Sequence, residues 1–179
     1  VEIAGLLGRI GWNDLIEDSL SFDGSTMTWG VNLSSIIQFG KKDALKLSGV
    51  YGEGIANYFN DSPVDVAPQS NNDDPNRPLK GIALPVYGIV AYLDHYWSKS
   101  FTSSLGYSFT QIENSDRQNG IDFKKGQYAS ANLIYYPVEN MLAAVEYIWL
   151  QRDDKNGFKS VDTRLQFSFK YNFSKVFLL

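Results

Sequence analysis

SVDTRLQFSFKYNF, residues 160–173, is the stretch whose reading decides the fold. Val161, Thr163, Leu165, Phe167, Phe169, Tyr171 and Phe173 fall on one parity, and Asp162, Arg164, Gln166, Ser168, Lys170 and Asn172 on the other. A period of two held this long describes a strand with one apolar face and one wet face. Strands of soluble sheets commonly run to about 5–6 residues, whereas a tilted strand needs about 9–11 to cross a hydrocarbon core of about 30 Å. Length and full charges together predict a membrane-crossing strand, apolar side to lipid and charged side to a lumen. The competing reading of this segment alone is an edge strand of a soluble sandwich.

Working back from it, the pattern repeats. Residues 141–152 set Met141, Ala143, Val145, Tyr147 and Trp149 against Glu146 and Arg152, and residues 127–137 set Ala129, Ala131, Leu133 and Tyr135 against Tyr128, Ser130 and Asn132. Residues 101–111 oppose Phe101, Leu105, Tyr107 and Phe109 to Thr102, Ser104, Ser108 and Thr110. Residues 80–97 read as one strand, apolar on both parities at first, with Tyr87, Ile89, Ala91 and Leu93 toward lipid. Residues 45–58 place Leu45, Leu47 and Tyr51 opposite Lys46 and Ser48, and Gly49, Gly52 and Gly54 mark a bend or a close backbone approach. Residues 26–39 alternate cleanly, while 1–13 are noisier, with Ala4, Leu6, Ile10 and Trp12 on one parity and Arg9 and Asn13 on the other. That predicts eight antiparallel strands.

Their connections alternate in length. Short turns are expected at 40–43, 98–100 and 137–140, and long loops after Asn13, Tyr58, Gln111 and Arg152. The loop 59–79, with four prolines among Asp61, Asp65, Asp73 and Asp74, reads as a surface or lumen-folded segment. Long loops on one rim and tight turns on the other are the habit of outer-membrane barrels. Trp12, Phe39, Trp97, Phe101, Tyr136, Trp149 and Phe173 near strand ends predict two interfacial girdles.

The totals agree with a single domain over residues 1–179. No Cys is present, which removes disulfides and thiolate metal sites. A net charge of −4 with basic residues scattered singly argues against a nucleic-acid partner. Mean hydropathy is −0.24, and no apolar run reaches the length of a membrane helix. Barrel strands spend only every second residue on lipid, so this does not count against a membrane. A chain that opens at Val1 without Met or a signal peptide is expected to be a processed form, a fragment or part of a longer protein.

GVYGEGIANYF (49–59), GIALPVYGIVAYLDHYWSKSFTSSLGYSFTQIENS (81–115) and RLQFSFKYNF (164–173), in that order and spacing, resemble the C-terminal part of the DcaP-like porins. The resemblance implies an all-β transmembrane barrel of sixteen strands, of which this chain is about half, with eight further strands ahead of Val1. It further implies a homotrimer in the outer membrane of Gram-negative bacteria, in contact with lipid and lipopolysaccharide. Barrels of this kind commonly end on an aromatic such as Phe173, so residues 174–179 depart from the pattern.

A closed barrel of eight strands is filled by its own side chains, while sixteen strands leave an aqueous channel. The inward, pore-lining parity is expected to hold Arg9, Lys46, Glu146, Arg152, Arg164 and Lys170, in which bases outnumber acids. Packed dry, each unpaired charge would cost several kcal/mol; in a wide wet lumen they stay hydrated and act as a field. The expected function is therefore passive diffusion of small hydrophilic solutes through an outer-membrane porin. The resemblance implies a preference for small anions such as dicarboxylates.

Two other classes compete: a small structural or adhesion barrel, and an outer-membrane lipid-modifying enzyme. Hydrolysis by a Ser-His pair needs an imidazole in reach of the hydroxyl. The only histidine, His95, shares parity with Leu93 and Trp97 near the short-turn rim, which reads as an interfacial anchor, so no catalytic residue and no enzyme activity are expected. Asp73 and Asp74 lack the glycine and terminal glutamate of a calcium loop. Gly52-Glu53-Gly54 opens no helix and has no third glycine. Neither metal nor cofactor is expected.

Overall fold

The computed structural model describes residues 1–13, 22–59 and 62–173. The alternating segments are extended: β1 (Glu2–Trp12), β2 (Gly24–Phe39), β3 (Asp43–Glu53), β4 (Val66–Ser70), β5 (Leu79–Ala83), β6 (Pro85–Tyr96), β7 (Phe101–Ile112), β8 (Phe123–Tyr135), β9 (Met141–Asp154) and β10 (Lys159–Tyr171). Eight of them form one sheet in the order β1-β2-β3-β6-β7-β8-β9-β10, every neighbour antiparallel, and β4 with β5 forms a separate hairpin. Among the described residues the sheet is open: β1 pairs only with β2, and β10 only with β9. These eight strands therefore do not close on themselves.

The tight turns keep the register in step. Pairs such as Gly30 with Gly52, Lys46 with Tyr92, Asp94 with Ser104, Asn132 with Glu146, and Glu146 with Gln166 always join even-numbered residues. One face of the sheet thus carries the even-numbered residues of all eight strands, interrupted only at the β-bulge between Phe123 and Lys125. The odd face is apolar between its rims. One of its rows runs Ile37, Leu45, Leu93, Leu105, Ala131, Tyr147 and Leu165 across seven strands. These side chains are open: Leu105 is 61% exposed and Phe167 74%. Polar odd residues such as Arg9, Asp43, His95, Lys125 and Asp153 sit near strand ends.

Four expectations about segments change. The strand expected over 45–58 ends at Glu53, because Gly54 takes φ 66° and Ala56–Tyr58 form a 3-10 turn. The strand expected over 80–97 is two elements: β5 belongs to the hairpin, Leu84 is buried, and β6 starts at Pro85. That division explains the apolar run on both parities. The loop expected over 59–79 holds β4 and is folded onto the even face. The connection after Arg152 is short, four residues between Asp154 and Lys159, so long connections follow β1, β3 and β7 only. Most of the loop expected after Asn13, and residues 174–179, lie outside the described residues.

The core lies on the even face at the end with the long connections. Ile55, Ala56, Ala67, Leu84, Val86, Ile112 and Phe123 form one buried cluster, with Leu6, Val50, Phe59, Val64 and Ile82 packed on it. The row Leu6, Gly30, Gly52, Val86 and Ile112 shows how it is built. Its two glycines leave a dip in which Ile55 sits, its Cδ1 2.5 and 2.6 Å from where their Cβ atoms would stand. Each such aliphatic side chain stabilises the arrangement by about 1.5–3 kcal/mol through burial. Trp12 lies against Gly24 and Gly81 in the same way, and its Nε1–H donates to Phe22 O at 2.6 Å.

Candidate pore-lining face

Beyond the cluster, toward the short-turn rim, the even face is mixed: Ile36, Val90, Ile134 and Leu142 stand among its polar and charged residues. Lys46 Nζ stands 2.6 Å from Asp94 Oδ2, and the Ser104 hydroxyl donates to Asp94 Oδ1 at 2.7 Å. Asn32 donates to the Ser48 hydroxyl at 3.0 Å. From Asp94 one cross-strand row continues through Ser104, Asn132, Glu146 and Gln166. The Lys46–Asp94 pair is half open to solvent, so it adds at most about 1 kcal/mol of stability. Its larger effect is on the field along the wall.

The six residues expected on this face divide. Lys46, Glu146, Arg152, Arg164 and Lys170 are on it together. Arg9 is not. Its pairing opposite Met27 puts it on the odd face at the long-connection rim, where Nε and Nη2 donate to the Ser25 hydroxyl at 2.9 and 2.6 Å. The physical reason is the hairpin: it covers the even face of β1, so Leu6, Ile10 and Trp12 pack inward and the strand is apolar on both sides. Parity judged from greasiness alone picks the wrong face there. Arg152 is tied up at the rim, donating to Asp154 Oδ1 at 2.7 Å and Ile121 O at 3.1 Å, with its guanidinium 5.7 Å from the Phe123 ring centre. Arg164 stands opposite Ile148 and Lys170 opposite Leu142, both on the edge strand β10.

The register also adds acids to the face. Glu2, Asp94, Asp154 and Asp162 join Glu146 there, against Lys46, Arg152, Arg164 and Lys170. The expected excess of bases is therefore absent among the described strands. A count by even number within each strand is the signal that finds Asp94 and Asp162.

At the long-connection rim the β4–β5 hairpin is bound to the connection 113–122. The Ser115 hydroxyl donates to Pro68 O at 2.6 Å, Ser70 N–H donates to Asp116 Oδ1 at 3.0 Å, and Arg117 Nε donates to the Ser70 hydroxyl at 2.7 Å. Hydrogen bonds from the Ser70 hydroxyl and N–H, with the Arg117 charge beside them, hold the Asp116 carboxyl below the usual carboxylate range. Asp74, in the turn of the hairpin, accepts from Asn76 N–H at 2.9 Å.

His95 is at the short-turn rim on the odd face. Its Nδ1 is 2.9 Å from Asp43 Oδ2, and its ring meets Trp97 edge-on with centroids 4.2 Å apart. Asp43 also accepts from Tyr96 N–H at 2.9 Å, and Trp97 Nε1 donates to the Ser103 hydroxyl at 2.9 Å. The arrangement ties the start of β3 to the end of β6.

No family model matches this chain, and no curated protein does. Its structure is similar to the crystal structure of the outer membrane channel DcaP of Acinetobacter baumannii, with a TM-score of 0.68 at 21% identity, over 96% of this chain and 47% of that one. The chain has the fold of an outer-membrane channel wall. It spans about half the length of that channel's chain.

Proposed function

We propose that this chain forms part of the wall of an outer-membrane porin, through which small hydrophilic solutes diffuse passively. The observation that supports it is the two-faced sheet: strands of 11–16 residues, an open apolar band on the odd face between its rims, and the charges of the strand interiors on the even face. In a bilayer each backbone N–H and C=O must be paired, so the free edges of β1 and β10 require further strands. Half coverage of a channel chain fits a wall of sixteen strands per subunit. The subunits assemble as a homotrimer in the outer membrane of a Gram-negative bacterium, with lipid and lipopolysaccharide against the odd face. We assign no enzymatic role and no cofactor.

A preference for small anions such as dicarboxylates is the finer part of the proposal. It rests on Arg164 and Lys170, for which no acidic partner stands within ion-pair distance among the described residues. The preference is modest, because the acids of the same face oppose it. In planar bilayers the full-length protein should conduct, and replacing Arg164 and Lys170 together by Ser should lower the anion-to-cation permeability ratio severalfold. An unchanged ratio removes the anion preference; a full-length protein that inserts and passes no current removes the pore.

A further inference from the structure

The β9–β10 turn, residues 155–158, holds a lysine in an unusual setting. Lys155 Nζ donates to Ser115 O at 2.8 Å, Asp116 O at 3.2 Å and Gln118 O at 2.7 Å. An ammonium has three N–H groups, and here all three go to backbone carbonyls of the connection 113–122. The main chain joins the same contact: Lys155 N–H donates to Asp122 O at 2.9 Å and Asn156 N–H to Gly120 O at 2.8 Å. Charge-assisted bonds of this type are shorter and stronger than neutral ones. Since every acceptor is backbone, the grip fixes the path of the connection itself.

That path is what presents Ser115, Asp116 and Arg117 to Pro68 and Ser70 of β4. The hairpin is held on one side by the apolar cluster and by Trp12 against Gly81. On the other side it is held by these three residues, and they by Lys155. A short turn between two long paired strands is a rigid place to anchor the chain of contacts.

We propose that Lys155 is the positioning residue that keeps the β4–β5 hairpin seated over the even face, and so sets the width of the path for solutes. The second half of this statement rests on the porin reading above. The first half does not.

The test uses the full-length pore. Lys155→Met keeps the stem and removes the donors; it should raise open-channel current noise severalfold in planar bilayers and make the hairpin cleavable by trypsin at Lys80. Lys155→Arg, which still donates to carbonyls, should stay quiet and resistant. In the Lys155→Met background, a disulfide between Ser70→Cys and Asp116→Cys should restore quiet current, and reduction should abolish it. Wild-type noise and trypsin resistance in Lys155→Met would overturn the assignment. Should that variant fail to fold, Ser115→Ala with Arg117→Ala cuts the next link while leaving Lys155, and wild-type behaviour of the pair would overturn it equally. If the unaltered protein passes no current, the porin reading fails, and trypsin protection still decides the role of Lys155.

Discussion

Leu105→Arg is expected to lower the stability of the folded protein in a lipid bilayer by about 2–4 kcal/mol, the cost of placing a guanidinium on the lipid face near midplane. Leu105 lies within β7, with Leu93 and Ala131 directly beside it, in a row that is apolar across seven strands. Nothing along that row offers the guanidinium a counter-charge, and the nearest polar odd positions are toward the strand ends. Ser108→Arg, three positions along the same strand on the even face, is the paired control and should cost under about 1 kcal/mol if that face is wet. Urea titration of folding in lipid vesicles, followed by the shift in gel mobility between folded and heated protein, reads both. Equal costs for the two substitutions would mean that both faces meet the same medium.

Gly52→Val should be the most damaging single change at the core. A Cβ at this position would lie 2.2 Å from Trp29 O, 2.7 Å from Gly30 Cα and 2.6 Å from Ile55 Cδ1. The first two neighbours are backbone of the paired strand and cannot swing away. Overpacking commonly costs about 1–3 kcal/mol; with backbone on two sides the upper end of that range or more is expected here, together with loss of the Ile55 contact that seats the inserted segment. Gly49→Ala is the matched control in the same strand. Its Cβ would meet nothing within 4 Å, so the change should be neutral or stabilising by about 0.4–1 kcal/mol through the unfolded chain. Equilibrium unfolding of both variants, with trypsin cleavage at the hairpin as a second readout, checks this. A Gly52→Val protein as stable and as resistant as Gly49→Ala would show that the dip in the wall is not needed.

How far the sequence could be read depends on where contacts are local. Strand identity was legible from β10, because alternation needs only residues two apart, and the tight turns at Gly40 and Asn140 keep one parity in step around the sheet. Features set by non-local contacts are hidden from it. β1 is greasy on the side that the hairpin covers, so its alternation points Arg9 to the wrong face, and nothing within residues 1–13 reports that cover. The run 80–97 reads as one strand because Leu84 is apolar for a core formed with Ile55, Ile112 and Phe123. Lys155 gave no signal at all, since its partners are backbone carbonyls that every sequence carries. The charge balance of the even face, in contrast, was within reach of simple counting once Asp94 and Asp162 were weighed with the bases.

The most direct measurement places a spin label at single positions along residues 103–109 of β7 in the full protein reconstituted into bilayers. Collision rates with dissolved oxygen and with a water-soluble nickel chelate are then recorded at each site. Labels at 103, 105, 107 and 109 should collide with oxygen, and labels at 104, 106 and 108 with the chelate, switching at every residue. Rates that fail to alternate, or odd positions as open to the chelate as even ones, would contradict a wall with lipid on one side and water on the other.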